Sequence, residues 1–298
     1  EMEKRRAAII SSIEDQDKMT DELRTSILTA DNKARLEDLY LPYKPKRRTK
    51  AMIAREAGLE PLAHDLLANP ELNPETEALR YLRTEVEDDT AIADATAALE
   101  GARQILVEQF AEDAQLVGSL RDYVWENAKL VSRVIEGKEA DGAKFKDYFD
   151  YAEPINKVPS HRALAVFRGR KEEVLRVSIA VGDPDTPPRP HPCEIQIANQ
   201  FEISDQGRPA DGWLLKVAGW AWRVKIAMHI ELELMTRLWN AAEEEGIRVF
   251  AGNLRDLLLA APAGPRTTIA LDPGFRTGVK VAVVDATGKL VDTAVIYP

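Results

Sequence analysis

Apolar residues recur every three or four positions through most of this chain, and the stretches that keep this spacing are the helices it predicts. Ile92, Ala95, Leu99, Ala102 and Leu106 form one stripe; Val117, Leu120, Val124, Ala128, Val131 and Ile135 form the next. They predict two long antiparallel helices over 90–135 that break near Glu112 and Asp113, because so wide a stripe must face a core. Leu214, Val217, Ala221, Val224, Met228, Leu232, Met235 and Leu238 predict the longest helix. It should open at Asp211 and run to about Glu245, roughly 50 Å at 1.5 Å per residue. Between Met2 and Tyr81 the pattern breaks into shorter pieces. Thr20 and Asp31 are expected caps for helices with Leu23, Ile27, Leu36 and Leu39 on their apolar faces, and Leu41-Pro-Tyr-Lys-Pro45 stops the second. Thr49 can cap a helix through Glu56, Gly58 can end it, and Glu60 to Ala68 can form another, which is a helix-turn-helix spacing.

Elsewhere the period changes. Lys144 to Tyr151 predicts a short helix, and Arg162 to Ala180 suits either a small hairpin or a helix leading into one strand. Asp183 to Pro192 holds five prolines in ten residues and is expected to be an irregular loop. After one more short helix at Asn253 to Ala261 and a Pro262-Ala-Gly-Pro265 linker, the terminal residues alternate with period two. Thr267 to Asp272, a Pro-Gly turn, Gly278 to Val284, a turn at Asp285-Ala-Thr-Gly288 and Leu290 to Tyr297 read as a three-stranded meander. The expected organisation is a helical region over 1–145, a helical core with a small β hairpin and the long helix over 146–262, and a β region over 263–298.

Composition narrows the class. The chain has 298 residues, 45% hydrophobic, 30% charged and only 6% aromatic, as expected of a helix-rich folded protein with a sizeable core. A single cysteine, Cys193, rules out an internal disulfide and suits a reducing cytoplasm. The longest apolar run, Leu257 to Ala263, is far below the ~20 residues of a spanning helix, so no membrane association is expected. The net charge of −10 argues against a generally basic surface that coats nucleic acid, so any such binding must be local. Glu1 falls inside an amphipathic pattern with no cap before it, and the last strands break off. Both ends are therefore expected to be internal to a longer protein.

Three segments carry a family resemblance: Leu36-Glu-Asp-Leu-Tyr-Leu-Pro-Tyr-Lys-Pro-Lys-Arg-Arg-Thr-Lys-Ala51, Tyr148-Phe-Asp-Tyr-Ala-Glu-Pro-Ile-Asn-Lys-Val-Pro-Ser-His-Arg-Ala163 and Leu271-Asp-Pro-Gly-Phe-Arg-Thr-Gly-Val-Lys280. Together they resemble the bacterial Tex family of transcription accessory proteins over essentially the whole chain. The terminal meander resembles the opening of an RNase H-type (YqgF) domain. The resemblance implies a mainly α fold: an elongated multi-helix scaffold with a small β element and a truncated RNase H-like β-meander at the C-terminus. It further implies a nucleic-acid-binding factor. The family's helix-hairpin-helix motifs and OB-fold have no counterpart in this sequence.

The strongest local feature is the basic run Lys44, Lys46, Arg47, Arg48, Lys50 and Arg55, with no acidic residue between Asp38 and Glu56. Lysine and arginine hold phosphates through counterion release, so such a run beside helix N-termini is a candidate backbone grip, with Tyr40 and Tyr43 available to stack on a base. The plain alternative is a solvated loop whose arginines pair with acidic neighbours. A second basic window, Lys157, Arg162, Arg168, Arg170 and Lys171, either extends the path or is an ordinary polar hairpin with Gly169 at its tip. Trp213, Trp220 and Trp222 imitate a stacking pattern, but helical spacing favours burial. The helix after Gly58 presents Glu60, His64 and Asp65, poor groups for entering a DNA groove, so packing is its expected role. Asp272 is a weak metal candidate, because two-metal nuclease chemistry needs further carboxylates beside it. No catalytic residues and no cofactor are implied, and the four histidines show no metal-ligand spacing. The partner classes are non-sequence-specific RNA or DNA, with RNA polymerase or other transcription machinery beside it. The rival readings are a RuvC-type nuclease in the intact protein and a protein-interaction scaffold that binds polymerase.

Overall fold

The computed structural model describes residues 2–44, 48–86, 88–262, 264–274 and 277–297. Side-chain caps set where its helices begin. Helices α1 (Met2–Glu14), α2 (Asp21–Thr29) and α3 (Lys33–Tyr40) form an N-terminal module. Thr20 accepts from the Leu23 N–H at 3.2 Å; Asn32, not Asp31, accepts from Arg35 at 2.9 Å. Ile9, Ile13, Ile27, Leu36 and Tyr40 make this module a small core of its own. Thr49 caps α4 (Lys50–Glu56), and a tight turn leads to α5 (Glu60–Ala68) and α6 (Pro74–Ala78). Both α4 and α5 lie on α7 (Ala95–Ala111), which is capped by Asp94 and carries Ala98, Ala102, Ile105, Leu106 and Phe110 at zero exposure. The α4–α5 pair thus packs as expected, with Leu62, Ala63 and Leu66 inward and His64 and Asp65 exposed.

Asp113 starts α8 (Ala114–Asn127), as the break near Glu112 predicts, but this helix ends earlier than expected. Ala128–Val134 is strand β1, which pairs antiparallel with β2 (Asp150–Pro154) on one side and, after α9 (Ser160–Lys171), with β3 (Leu175–Val181) on the other. A central strand buries residues on both faces, here Leu130 and Val131, and a short apolar run of that kind fits a helical stripe equally well. The sheet therefore takes strands from both sides of residue 145. The predicted short helix after Lys144 is a 3-10 segment, Ala143–Tyr148, running straight into β2. Gly169 is not a hairpin tip. It sits inside α9, where a Cβ would come within 2.4 Å of Leu175 Cδ1, so the absent side chain is what lets β3 return against the helix.

The proline loop is irregular, and Pro192 starts an unforeseen helix, α10 (Pro192–Gln200), where its missing N–H costs nothing. The long helix is α11 (Asp211–Trp220), a π-helical turn at Ala221–Ile226 and α12 (Ala227–Leu258). Nothing between Glu245 and Asn253 stops it, since neither Gly246 nor Gly252 breaks the hydrogen-bond ladder, and the separate helix expected after Asn253 is its last turns. Trp222 is buried, while Trp213 and Trp220 are half-buried, with the Arg103 guanidinium 4.0 Å over the Trp220 ring.

The chain forms two compact units, residues 1–244 and 245–298. The second contains the end of α12 and the meander β4 (Thr268–Gly274), β5 (Gly278–Val284) and β6 (Leu290–Ile296), in the order β4-β5-β6 with a register shift at Val283 and Val284. Among the described residues no helix is long and apolar enough to cross a membrane.

Candidate nucleic-acid interface

Lys44 and Arg48–Lys50 flank the tip of the basic run; Lys46 and Arg47 lie outside the described residues. The loop is fixed from below by Glu108, a buried carboxylate on α7. It accepts from Thr49 Oγ1 at 3.1 Å and from Arg55 Nη1 at 2.6 Å, and Arg55 reaches Glu60 as well. Arg48 donates to Glu56 at 3.1 Å and to Asp89 at 3.0 Å. These two arginines brace the loop against α4, α7 and the turn before α7, so a phosphate must compete with four carboxylates for them. Lys44 and Lys50 are exposed and, among the described residues, form no ion pair, although Lys44 is near enough to Glu37 to help lower its pKa. Tyr40 is not available for stacking: it is in the N-terminal core with its hydroxyl 2.9 Å from Ser12 Oγ, because α3 turns that face inward.

The second window divides the same way. Arg162 donates to Glu153 at 3.1 Å, and Arg168 to Glu172 at 2.8 Å. Arg170 and Lys171 are exposed and, among the described residues, unpaired on the last turn of α9, where cations also offset the negative end of the helix dipole. Among the described residues no hydrogen bond or ion pair links the two windows.

Asp272, on β4, faces Lys280 of β5 at 3.7 Å and is exposed. Asp285 accepts from Thr287 and Lys289 in the β5–β6 turn, which lowers its pKa, and Asp292 accepts from its neighbour Thr293. The meander as described therefore does not converge these carboxylates. Among the described residues, the one cluster with metal-ligand spacing lies elsewhere: Asp38, His229 and Glu233. Arg121 already occupies it, giving two hydrogen bonds to Asp38 at 2.9 and 2.8 Å and one to Glu233 at 2.7 Å. This triad lines a cavity of about 1220 Å³ between α3, α8 and α12. It joins residues 83 and 112 positions apart, and no local pattern announces it.

The family assignment rests on the whole chain. A model of the Tex central region matches residues 69–250, and one of the Tex protein YqgF-like domain matches residues 266–298. The chain belongs to the Tex family. It is 56% identical to Protein YhgF of Escherichia coli strain K12, over 100% of this chain and 38% of that protein. To Protein tex of Bordetella pertussis it is 52% identical, over 98% of this chain and 37% of that one. A human protein named S1 RNA-binding domain-containing protein 1 is 29% identical over 97% of this chain and 29% of its own length. The chain thus spans under two fifths of the length of each of these relatives.

Proposed function

We propose that this chain is the helical scaffold of a Tex-type transcription accessory factor, that it binds RNA or DNA without sequence preference, and that it has no enzymatic activity of its own. One observation carries the reading. In a protein with 50 acidic residues, Lys44, Lys50, Arg170 and Lys171 stay exposed and without an ion pair. Surface cations that no carboxylate bonds give up little when a phosphate arrives, and counterions are released in the exchange. The name of the human relative, S1 RNA-binding domain-containing protein 1, is consistent with an RNA-handling family. Its transcription partners, polymerase among them, belong to the same proposal.

The test is the salt dependence of binding to a labelled single strand. Each phosphate contact contributes about 0.7 to the slope of log K against log salt on single strands. Replacing Lys44 and Lys50 together with alanine should lower that slope by about 1.4, two contacts' worth, with Arg48→Ala changing it little. An unchanged slope in the double variant removes this loop from the site. Divalent-metal-dependent cleavage of either nucleic acid, abolished by Asp272→Asn, would overturn the non-enzymatic part.

A further inference from the structure

The π-helical turn at Ala221–Ile226 interrupts an otherwise regular pair of helices, and such insertions cluster at functional sites. Here it presents two successive residues to the proline loop. The Trp222 ring stacks on His191 at 4.9 Å between centroids and 21° between planes, and Arg223 Nη1 lies 2.5 Å from Glu194 Oε1. That pair fits because Gly219 has no side chain: a Cβ there would come within 2.9 Å of Arg223 Nη1 and 3.2 Å of Glu194 Oε2. Pro187, Pro188 and Pro190 supply the facing wall, and together these residues with Arg189 enclose a cavity of about 480 Å³.

The cavity's chemistry is specific. His191 Nδ1 accepts the Cys193 N–H at 3.2 Å, so in the neutral ring the proton is on Nε2. Burial lowers the pKa of His191, which keeps the ring neutral and an Nε2 donor. Arg189 is exposed and, among the described residues, has no ion pair, while Glu194 accepts from Arg223 through Oε1. Flat apolar walls, a ring pair, the unpaired Arg189 guanidinium and the polar edge of the Arg223–Glu194 pair match a heterocyclic base with donors and acceptors on its edge, attached to a phosphate. A proline-rich peptide would use the walls but leave the Arg189 guanidinium without an anion, since Arg223 is already paired with Glu194.

We infer that this cavity is a slot for one unstacked base of a single-stranded nucleic acid, with the base against His191 and the prolines and its phosphate on Arg189. The slot rests on the proposed nucleic-acid binding and adds a place where a base, not the backbone, is held.

Two labelled dodecamers of equal charge separate the two ideas, one with all its bases and one abasic throughout. Stacking a base contributes about tenfold in affinity. The base-bearing strand should therefore bind about tenfold tighter, and His191→Ala should erase that difference while both strands retain their salt slope. Because His191 also caps α10, the wild-type protein is tested in parallel by photocrosslinking a 5-iodouracil-substituted dodecamer. The adduct should map to His191 or Trp222. Equal, salt-dependent binding of both strands, or adducts confined to other peptides, overturns the slot and leaves the scaffold reading intact. Failure of both strands to bind overturns both. A polyproline peptide that occupies the cavity when the dodecamer does not would also overturn the slot.

Discussion

Replacing Arg121 with methionine should be among the most damaging single changes in this protein. The guanidinium is 9% exposed and lies between Asp38, 3% exposed, and Glu233, whose side chain is 23% exposed. Desolvation disfavours its charge, but the two carboxylates more than compensate and raise its pKa. Methionine fills similar volume, so the main loss is electrostatic. Asp38 forfeits both its hydrogen bonds and keeps a charge that water cannot reach. Breaking a buried pair from one side costs about 3–5 kcal/mol, whereas replacing both partners by apolar groups is often nearly neutral. Asp38→Leu combined with Arg121→Met should accordingly be more stable than Arg121→Met alone, by about 2 kcal/mol or more. Glu233 changes the arithmetic little, since it retains access to solvent.

The pH dependence sharpens this. Burial pushes the Asp38 carboxyl above its ordinary pKa, and without Arg121 only the smaller effect of His229 opposes that push. A carboxyl whose folded pKa is raised takes up a proton that the unfolded chain releases, so folding of Arg121→Met gains as pH falls and loses as it rises. Its deficit against wild type should be larger at pH 7 than at pH 5. Urea unfolding at both pH values, followed by near-ultraviolet circular dichroism, reads the difference. A single variant that loses under 1 kcal/mol at pH 7, or a double variant that loses the sum of the two singles, would refute the reasoning.

Gly169→Ala should destabilise by about 1–3 kcal/mol, because its Cβ meets Leu175 Cδ1 at 2.4 Å and Cγ at 2.8 Å, and Leu175 is itself buried; an unchanged melting temperature would show that β3 yields freely. Burial pushes the Cys193 thiol up to about 12, so iodoacetamide should fail to label the native protein at pH 8 and label it fully in denaturant. The hydrogen bond from Tyr151 and then the Arg162 guanidinium hold Glu153 below its usual pKa. The stability this gives is present above the unfolded pKa and lost as pH falls through the folded one, so Glu153→Gln should flatten part of the acid limb of the stability curve.

The helices were legible wherever one face alone is buried. α4, α5, α7 and the break at Asp113 follow from caps and three-four spacing. The reading failed where burial is two-sided or where a neighbour dictates the backbone. β1 has apolar residues on both faces, so its pattern passes for a helix until β2 and β3 flank it. Gly169 looked like a turn residue because the sequence does not show that Leu175 returns against it. The Asp38–Arg121–Glu233 triad was invisible for a different reason: each member is an ordinary charge on a helix surface until α3, α8 and α12 meet. The proline loop was expected to be irregular, but its ring pair depends on a π-helical turn that periodicity alone does not reveal.

The basic run shows why counting charges and locating free charges differ. Lysines and arginines are equivalent in a sum, but the guanidinium's fixed fork matches carboxylate geometry and is more weakly hydrated than an ammonium group. In a chain with ten more acids than bases, arginines are thus the first cations recruited internally. Arg48, Arg55, Arg121, Arg162 and Arg168 all make carboxylate pairs, the first three with two carboxylates each. In the two basic windows Lys44, Lys50 and Lys171 remain as unpaired point charges, and Arg170 is the exception there among the described arginines. Such ammonium groups attract phosphates without imposing an angle. A surface built from them should therefore bind backbone with steep salt dependence and little preference among sequences, and any selectivity must come from a separate feature that touches bases.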